Sequence, residues 1–213
     1  MLRVSGLDVA IGAIPIIHGA NLAVATGEMC GLIGRNGAGK TTLLRALMGA
    51  TAATGTATFD DVDLIALPAH GRVGRGIGYM PEDRRLVPQF TVEDNIRLPT
   101  WTTTMADVEE RLAWIYSIMP EIAAFRRRRA LELSGGQQKM VALARALMAG
   151  RKLLLLDEPF EGLAPALARR LGEVMASLRG EGLSMLIAES NEAHVADLLS
   201  RVFRIERGAV EAG

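Results

Sequence analysis

The stretch Gly34-Arg35-Asn36-Gly37-Ala38-Gly39-Lys40-Thr41 constrains this chain more than any other. It fits G-x-x-x-x-G-K-[ST], whose expected setting is a strand before the loop and a helix after it. Both are present: Met29–Ile33 is an unbroken apolar run, and residues from about Gly39 to Met48 read as a helix. There, loop amides and the helix N-terminus converge on one point and suit a polyphosphate. The glycines let the main chain approach without a side chain in the way. Gly34, Asn36, Gly37, Ala38 and Gly39 would line the phosphates, with Thr42 behind them. Lys40 would neutralise the β and γ phosphates, and Thr41 would ligate Mg²⁺. A chance Gly-rich turn is the competing reading, and the strand-loop-helix context argues against it.

The remaining pattern alternates strands with helices. Residues 2–10, 20–25, 56–59, 77–80, 152–156, 184–188 and 202–205 read as strands. Thr91 would cap a short helix, with Glu93 and Asp94 in its first turn. Residues 105–119 carry Leu112, Ile115 and Met119 at helical spacing and stop at Pro120. Ser134 would cap a helix running to about Met148, and further helices are expected over 165–179 and near 191–199. The pattern predicts an α/β core with a mostly helical insert at roughly 86–150, all within one domain spanning 1–213.

Two more segments carry chemistry. Leu153–Leu156 followed by Asp157-Glu158 would deliver Asp157 to the metal from a buried strand, with Glu158 beside the γ-phosphate to orient or deprotonate water. Alone, it reads equally as an acid-capped helix start. Leu133-Ser134-Gly135-Gly136-Gln137-Gln138 places Ser134 and two glycines at a helix N-terminus, a second anion site, or simply a capped helix.

In this order the three segments resemble the ATP-binding cassette (ABC) ATPases, over nearly the whole chain. The resemblance implies a phosphate-loop NTPase core of ABC type, with an antiparallel β subdomain and a helical subdomain. It implies ATP and Mg²⁺ as ligands and a head-to-tail dimer, hetero- or homodimeric. In that dimer Ser134, Gly135, Gly136 and Gln137 of one subunit would close on the nucleotide held by the other. The likeness is greatest to ATPase subunits of branched-chain amino acid importers, through Tyr79-Met80-Pro81-Glu82-Asp83-Arg84-Arg85, Phe90-Thr91-Val92-Glu93-Asp94-Asn95 and Gly162-Leu163-Ala164-Pro165. Phe160-Glu161-Gly162 leans toward urea and short-chain amide importers. Glu82 stands where most relatives carry a metal-reaching Gln, in the loop that touches the membrane subunit.

Two positions depart from that pattern. Ile11 stands where an aromatic residue usually stacks on adenine, and Ser190 where many relatives place a His that contacts the γ-phosphate. His18 and His70 read as loop surface residues, and His194 falls one helical turn beyond Ser190. Arg126–Arg129 reads as a solvated basic run, Trp114 as packed and Trp101 as exposed.

Composition narrows the function class. Lys plus Arg equals Asp plus Glu, 24 each, so no global basic field points to nucleic acid. The single Cys30 predicts a buried thiol and an intracellular setting. No apolar run approaches the ~20 residues needed to span a bilayer, and the N-terminus lacks the apolar section of a signal peptide. Two readings remain. One is the ATPase of a bacterial importer on the cytoplasmic face of the inner membrane, partnered by two permease subunits, a second ATPase subunit and an extracytoplasmic solute-binding protein. The other is a non-transport ABC ATPase acting on DNA or ribosomes.

Overall fold

The chain opens with β1 (Leu2–Ile11), β2 (Ile14–Val24) and β3 (Met29–Ile33), followed by α1 (Lys40–Leu47). These and the elements below come from a computed structural model that describes residues 1–212. β4 (Thr54–Phe59), β5 (Val62–Asp63), α2 (Ala69–Val73) and β6 (Ile77–Met80) come next. α3 (Val92–Arg97), α4 (Val108–Ile118), α5 (Pro120–Ala124) and α6 (Gly135–Ala149) follow. β7 (Leu153–Asp157), α7 (Pro165–Arg179), β8 (Ser184–Glu189), β9 (Arg201–Glu206) and β10 (Ala209–Ala212) complete the order.

Two sheets carry the strands. One is antiparallel with order β2-β1-β4-β5; the other is six-stranded with order β10-β9-β3-β8-β7-β6. In the second, the β3, β6, β7, β8 and β9 pairings are all parallel, and only the β9–β10 hairpin is antiparallel. Continuous apolar runs such as Leu153–Leu156 arise because both faces of this sheet are covered. Successive side chains alternate between the faces. Leu154 and Leu156 join Met29 and Ile33 against α3, α4, α6 and α7. Leu153 and Leu155 join Cys30 and Leu32 against α1 and the antiparallel sheet. The helix α6 lies close on β6: a Cβ on Gly78 would sit 2.1 Å from the Ala146 carbonyl oxygen, so only glycine allows that approach.

Several elements differ from their sequence signatures. β2 begins at Ile14, six residues before the expected strand. It is an edge strand carrying Pro15, and its first half lacks clean alternation. His18 lies in β2 and His70 in α2, both exposed, and neither is in a loop. Pro120 ends α4 and also starts α5 as its first residue, where its missing N–H costs nothing. Residues 192–194 and 196–198 form two short 3-10 turns, interrupted at Val195, in place of one helix. The short β10 and α2 have no counterpart in the sequence reading. Thr91 caps α3 with Asp94 in a reciprocal capping box, as its sequence predicts. Trp101 is 61% exposed and leans on Phe90, with ring centroids 5.6 Å apart. Among the described residues no helix is long and apolar enough to cross a membrane.

Candidate active site

Parallel strands β3, β8, β7 and β6 are neighbours in the sheet, so their carboxyl ends open on one edge, where ligands bind in open α/β sheets. β3 runs into the loop 34–39, β7 ends at Asp157 with Glu158 next, β8 ends at Glu189 with Ser190 next, and β6 leads to Pro81-Glu82.

The loop is closed against its surroundings. A Cβ on Gly34 would lie 2.3 Å from the Ile205 carbonyl oxygen, and Gly39 has φ 112°, in the left-handed region. Lys40 is 5% exposed. Its Nζ donates to the carbonyls of Gly34 (2.6 Å) and Arg35 (3.2 Å) and pairs with Glu158 Oε1 at 3.0 Å. Thr41 Oγ1 donates to Asp157 Oδ1 at 3.1 Å, and the Tyr79 hydroxyl donates to Asp157 Oδ2 at 3.3 Å. Burial pushes the Asp157 carboxyl up to about 6, with the charges of Glu82 and Glu158 adding and the Thr41 and Tyr79 bonds opposing. Burial and Asp157 together push the Tyr79 hydroxyl up.

Glu158 adopts φ 47°, a left-handed conformation uncommon for a residue with a Cβ. Its amide donates to the Ala188 carbonyl at 2.9 Å. Its Oε2 accepts from the backbone N–H of Ser190 at 3.2 Å and from the Ser190 hydroxyl at 3.4 Å. Ser190 thus touches Glu158 itself. A cleft of about 420 Å³ is lined by Asn36, Gly37, Gly39, Lys40, Thr41, Thr42, Glu82 and Glu158, joined by Ile16. Burial and the neighbouring Glu161 and Glu158 raise the Glu82 carboxyl. Gly34 and Ala38 face the other side of the loop, with Ser190 and Ile205.

The structure does not bring every expected residue to this cleft. Ile11 ends β1 at the hairpin, 56% exposed and outside the lining. Ile16 is the aliphatic residue that lines the cleft. Ser134 caps α6 in a reciprocal box with Gln137: Ser134 N–H donates to Gln137 Oε1 at 3.0 Å, and Gln137 N–H donates to Ser134 Oγ at 3.3 Å. Gly135 opens instead on a second cleft of about 410 Å³ with Glu82, Lys139 and Glu161. The Ser134–Gln137 helix end therefore lies outside the phosphate-loop cleft of its own chain. Nor does His194 share a helical face with Ser190; its Nδ1 lies 3.7 Å from Glu189 Oε2.

Four residues at or near the site carry no clear mark in the sequence: Ile16, Tyr79, Lys139 and Glu189. Lys139 and Glu189 are charged residues inside apolar elements, the one signal available. Glu189 is fully buried, its Oε1 accepts from the Phe160 N–H at 3.0 Å, and burial pushes its carboxyl up to about 8.

Thr41 and Asp157 set hard oxygen donors face to face, with Glu82 in the same cleft. That set suits Mg²⁺, which takes one or two protein carboxylates or hydroxyls and completes its shell with substrate phosphates and water. Among the described residues no group of three or more His, Cys, Asp or Glu is placed to hold a metal.

Residues 17–161 match the family described as ABC transporter. The chain is 35% identical to the high-affinity branched-chain amino acid transport ATP-binding protein BraG of Pseudomonas aeruginosa, across 99% of this chain and 91% of that protein. It is 34% identical to the lipopolysaccharide export system ATP-binding protein LptB of Escherichia coli, across 91% of this chain and 81% of that protein. It superposes with a TM-score of 0.86 on a dimeric ATP-binding cassette bound to ADP and Pi in a post-hydrolysis state. The two are 24% identical, with 99% of this chain and 97% of that one covered, a likeness of fold.

Proposed function

This chain belongs to the ABC transporter family of ATPases, and from that premise we propose that it is the ATP-hydrolysing subunit of a bacterial importer. Its solute would be a branched-chain amino acid or a related urea- or amide-type molecule. The observation that carries the chemistry is the meeting of Lys40, Thr41, Asp157 and Glu158 at the carboxyl ends of β3 and β7. The identity to BraG across almost the whole of both chains supports the solute class.

In this reading the whole chain is one ATP-binding domain, with its helical part at about 86–150. Amides of residues 36–41 cradle the phosphates. Thr41 and Asp157, with Glu82 at the cleft wall, would hold Mg²⁺, which neutralises charge on the phosphates when bound. The Lys40 ammonium is shared among the Gly34 and Arg35 carbonyls and Glu158. Phosphate oxygens compete for it, and each exchange leaves Glu158 Oε1 to face water. Glu158 then takes the proton as the water oxygen bonds to the γ-phosphorus and the bond to the leaving ADP breaks. Ser190 keeps that carboxylate in place through Oε2.

Ser134–Gln137, turned from their own cleft, would serve the nucleotide of a second ATPase subunit in a head-to-tail dimer. Two permease subunits would hold the pair against the cytoplasmic face of the membrane, and an extracytoplasmic binding protein would deliver solute.

A second reading, export, is favoured by the likeness to LptB. The test is reconstitution of the chain in lipid with the membrane subunits that copurify with it. Import predicts that solute-loaded binding protein stimulates ATP turnover and that solute accumulates on the side opposite to the binding protein. Turnover indifferent to any binding protein, with outward movement of a lipid-linked substrate, rejects import. In the same assay Lys40→Ala abolishes turnover if the phosphate-loop assignment holds.

A further inference from the structure

We infer that Lys139 is a positioning residue whose buried ammonium ties the helix bearing Ser134-Gly135-Gly136 to the Glu158–Glu161 turn. Closure of that helix on a partner's nucleotide is thereby felt at this chain's own Glu158. The inference rests on the head-to-tail dimer proposed above.

A lysine is seldom buried unless its charge is met. Lys139 is 7% exposed, and its Nζ spends its hydrogen bonds on two main-chain carbonyls, those of Glu158 (2.6 Å) and Glu161 (2.5 Å). Burial lowers the ammonium's proton affinity, and the nearby Glu161 and Glu158 carboxylates oppose that. Both carbonyls belong to one tight turn, closed by Glu161 N–H donating to the Glu158 carbonyl at 3.3 Å. The far side of the turn is fixed by the Phe160 N–H on Glu189 Oε1. Two buried polar side chains, from α6 and from the end of β8, thus grip the main chain that carries Glu158.

The grip matters because Glu158 is left-handed at φ 47°, a conformation that persists only where neighbours over-determine it. Lys139 holds the carbonyl of that very residue. It also lies five residues from the Ser134 cap, roughly 7.5 Å along the helix axis. A rigid helix moves as a body, so displacement of its N-terminal end draws on the Glu158 carbonyl through one side chain. Leu167 packs on Gly136 from α7, where a Cβ would sit 2.1 Å from Leu167 Cδ2, so this end of the helix has no slack to absorb the motion.

The experiment uses the full chain with Lys139→Met and Lys139→Arg, each alone and combined with Glu158→Gln. Thermal melting and circular dichroism establish folding; a Lys139→Met chain too unstable to assay is replaced by Lys139→Gln under the same criteria. Displacing a reacting group by an ångström costs up to about a hundredfold, so Lys139→Met should lower kcat about ten- to a hundredfold with KM for ATP held within about threefold. Lys139→Arg, which keeps the charge and two donors, should recover most of the loss. The Glu158→Gln, Lys139→Met chain should still dimerise with Mg-ATP on size-exclusion chromatography. An unchanged kcat in Lys139→Met overturns the inference. So does a joint fall in kcat, ATP affinity and dimerisation, the mark of a merely structural residue. A Glu158→Gln chain that stays monomeric with Mg-ATP overturns the dimer reading and the relay with it.

Discussion

Glu158→Gln separates chemistry from stability in this site. The substitution is nearly isosteric and removes one charge of a buried pair, Lys40 Nζ to Glu158 Oε1 at 3.0 Å with both side chains 5% exposed. Breaking such a pair ordinarily costs about 3–5 kcal/mol, because the surviving charge is left uncompensated. Here Lys40 keeps two carbonyl acceptors, at 2.6 and 3.2 Å. Either orientation of the Gln amide keeps one of the two contacts, its carbonyl accepting from Lys40 or from the Ser190 N–H, and gives up the other. Removing the Glu158 charge also relieves Glu189 and Glu82, whose carboxyls it pushes up. The net cost should be no more than about one or two hydrogen bonds, roughly 1–2 kcal/mol. For a chain of this size that lowers the melting temperature by about 2–8 °C. Turnover should fall about 10²–10⁴-fold with the general base gone. Differential scanning calorimetry and a coupled-enzyme ATPase assay measure the two effects, with calorimetric titration of ATP as the control for binding. Unchanged turnover would refute the role of Glu158. A drop in melting temperature well beyond ten degrees would refute the claim that the loop carbonyls suffice for Lys40.

Three further outcomes are expected. Ile16→Ala should weaken ATP affinity by more than Ile11→Ala, because Ile16 lines the cleft and Ile11 is exposed; the opposite ranking, by titration calorimetry, would return the base to the hairpin tip. Glu189 holds its proton to about 8 in the folded chain against 4.5 ordinarily, so the stability it contributes is complete below about pH 4.5 and lost as pH rises through about 8. Glu189→Gln retains the acceptor for Phe160 N–H and should flatten the fall in melting temperature across that window; parallel curves for the two proteins would show that Glu189 is not the titrating group. Ser190→Ala removes the hydroxyl from Glu158 and leaves the backbone N–H, so turnover should drop several-fold without loss of ATP binding, while Ser190→His should exceed wild type in the isolated chain; identical steady-state rates in all three would take the Ser190 side chain out of the mechanism.

The glycine-rich loop between β3 and α1, the apolar strand ending in Asp157 and the Ser134 cap are legible because each is a local signal. A strand covered on both faces reads as unbroken leucines, and a cap is written within four residues. Glu158 follows Asp157 directly in the sequence and shares that local signal. Lys139 and Glu189 were not legible as site residues, because their partners lie 19 to 29 residues away and meet them only after the sheet is assembled. The turn at 192–198 and the first half of β2 were missed for a related reason. Their conformations follow from side-chain capping by Asn191 and from pairing with β1, neither of which leaves a periodicity. Ile16 escaped notice because an aliphatic residue in a strand carries no mark of what faces it.

The helix end at Ser134-Gly135-Gly136 lies outside the cleft its own chain builds. On the dimer reading, catalytic competence is then a property of a population before it is a property of a molecule. Rate per chain should vanish on dilution however much ATP is supplied, and at low concentration the total rate should climb with the square of protein concentration. Copies made ahead of their membrane partners would sit loaded and idle. At such dilution fuel would burn fastest where something else, most simply a pair of permeases side by side, keeps two of them facing one another.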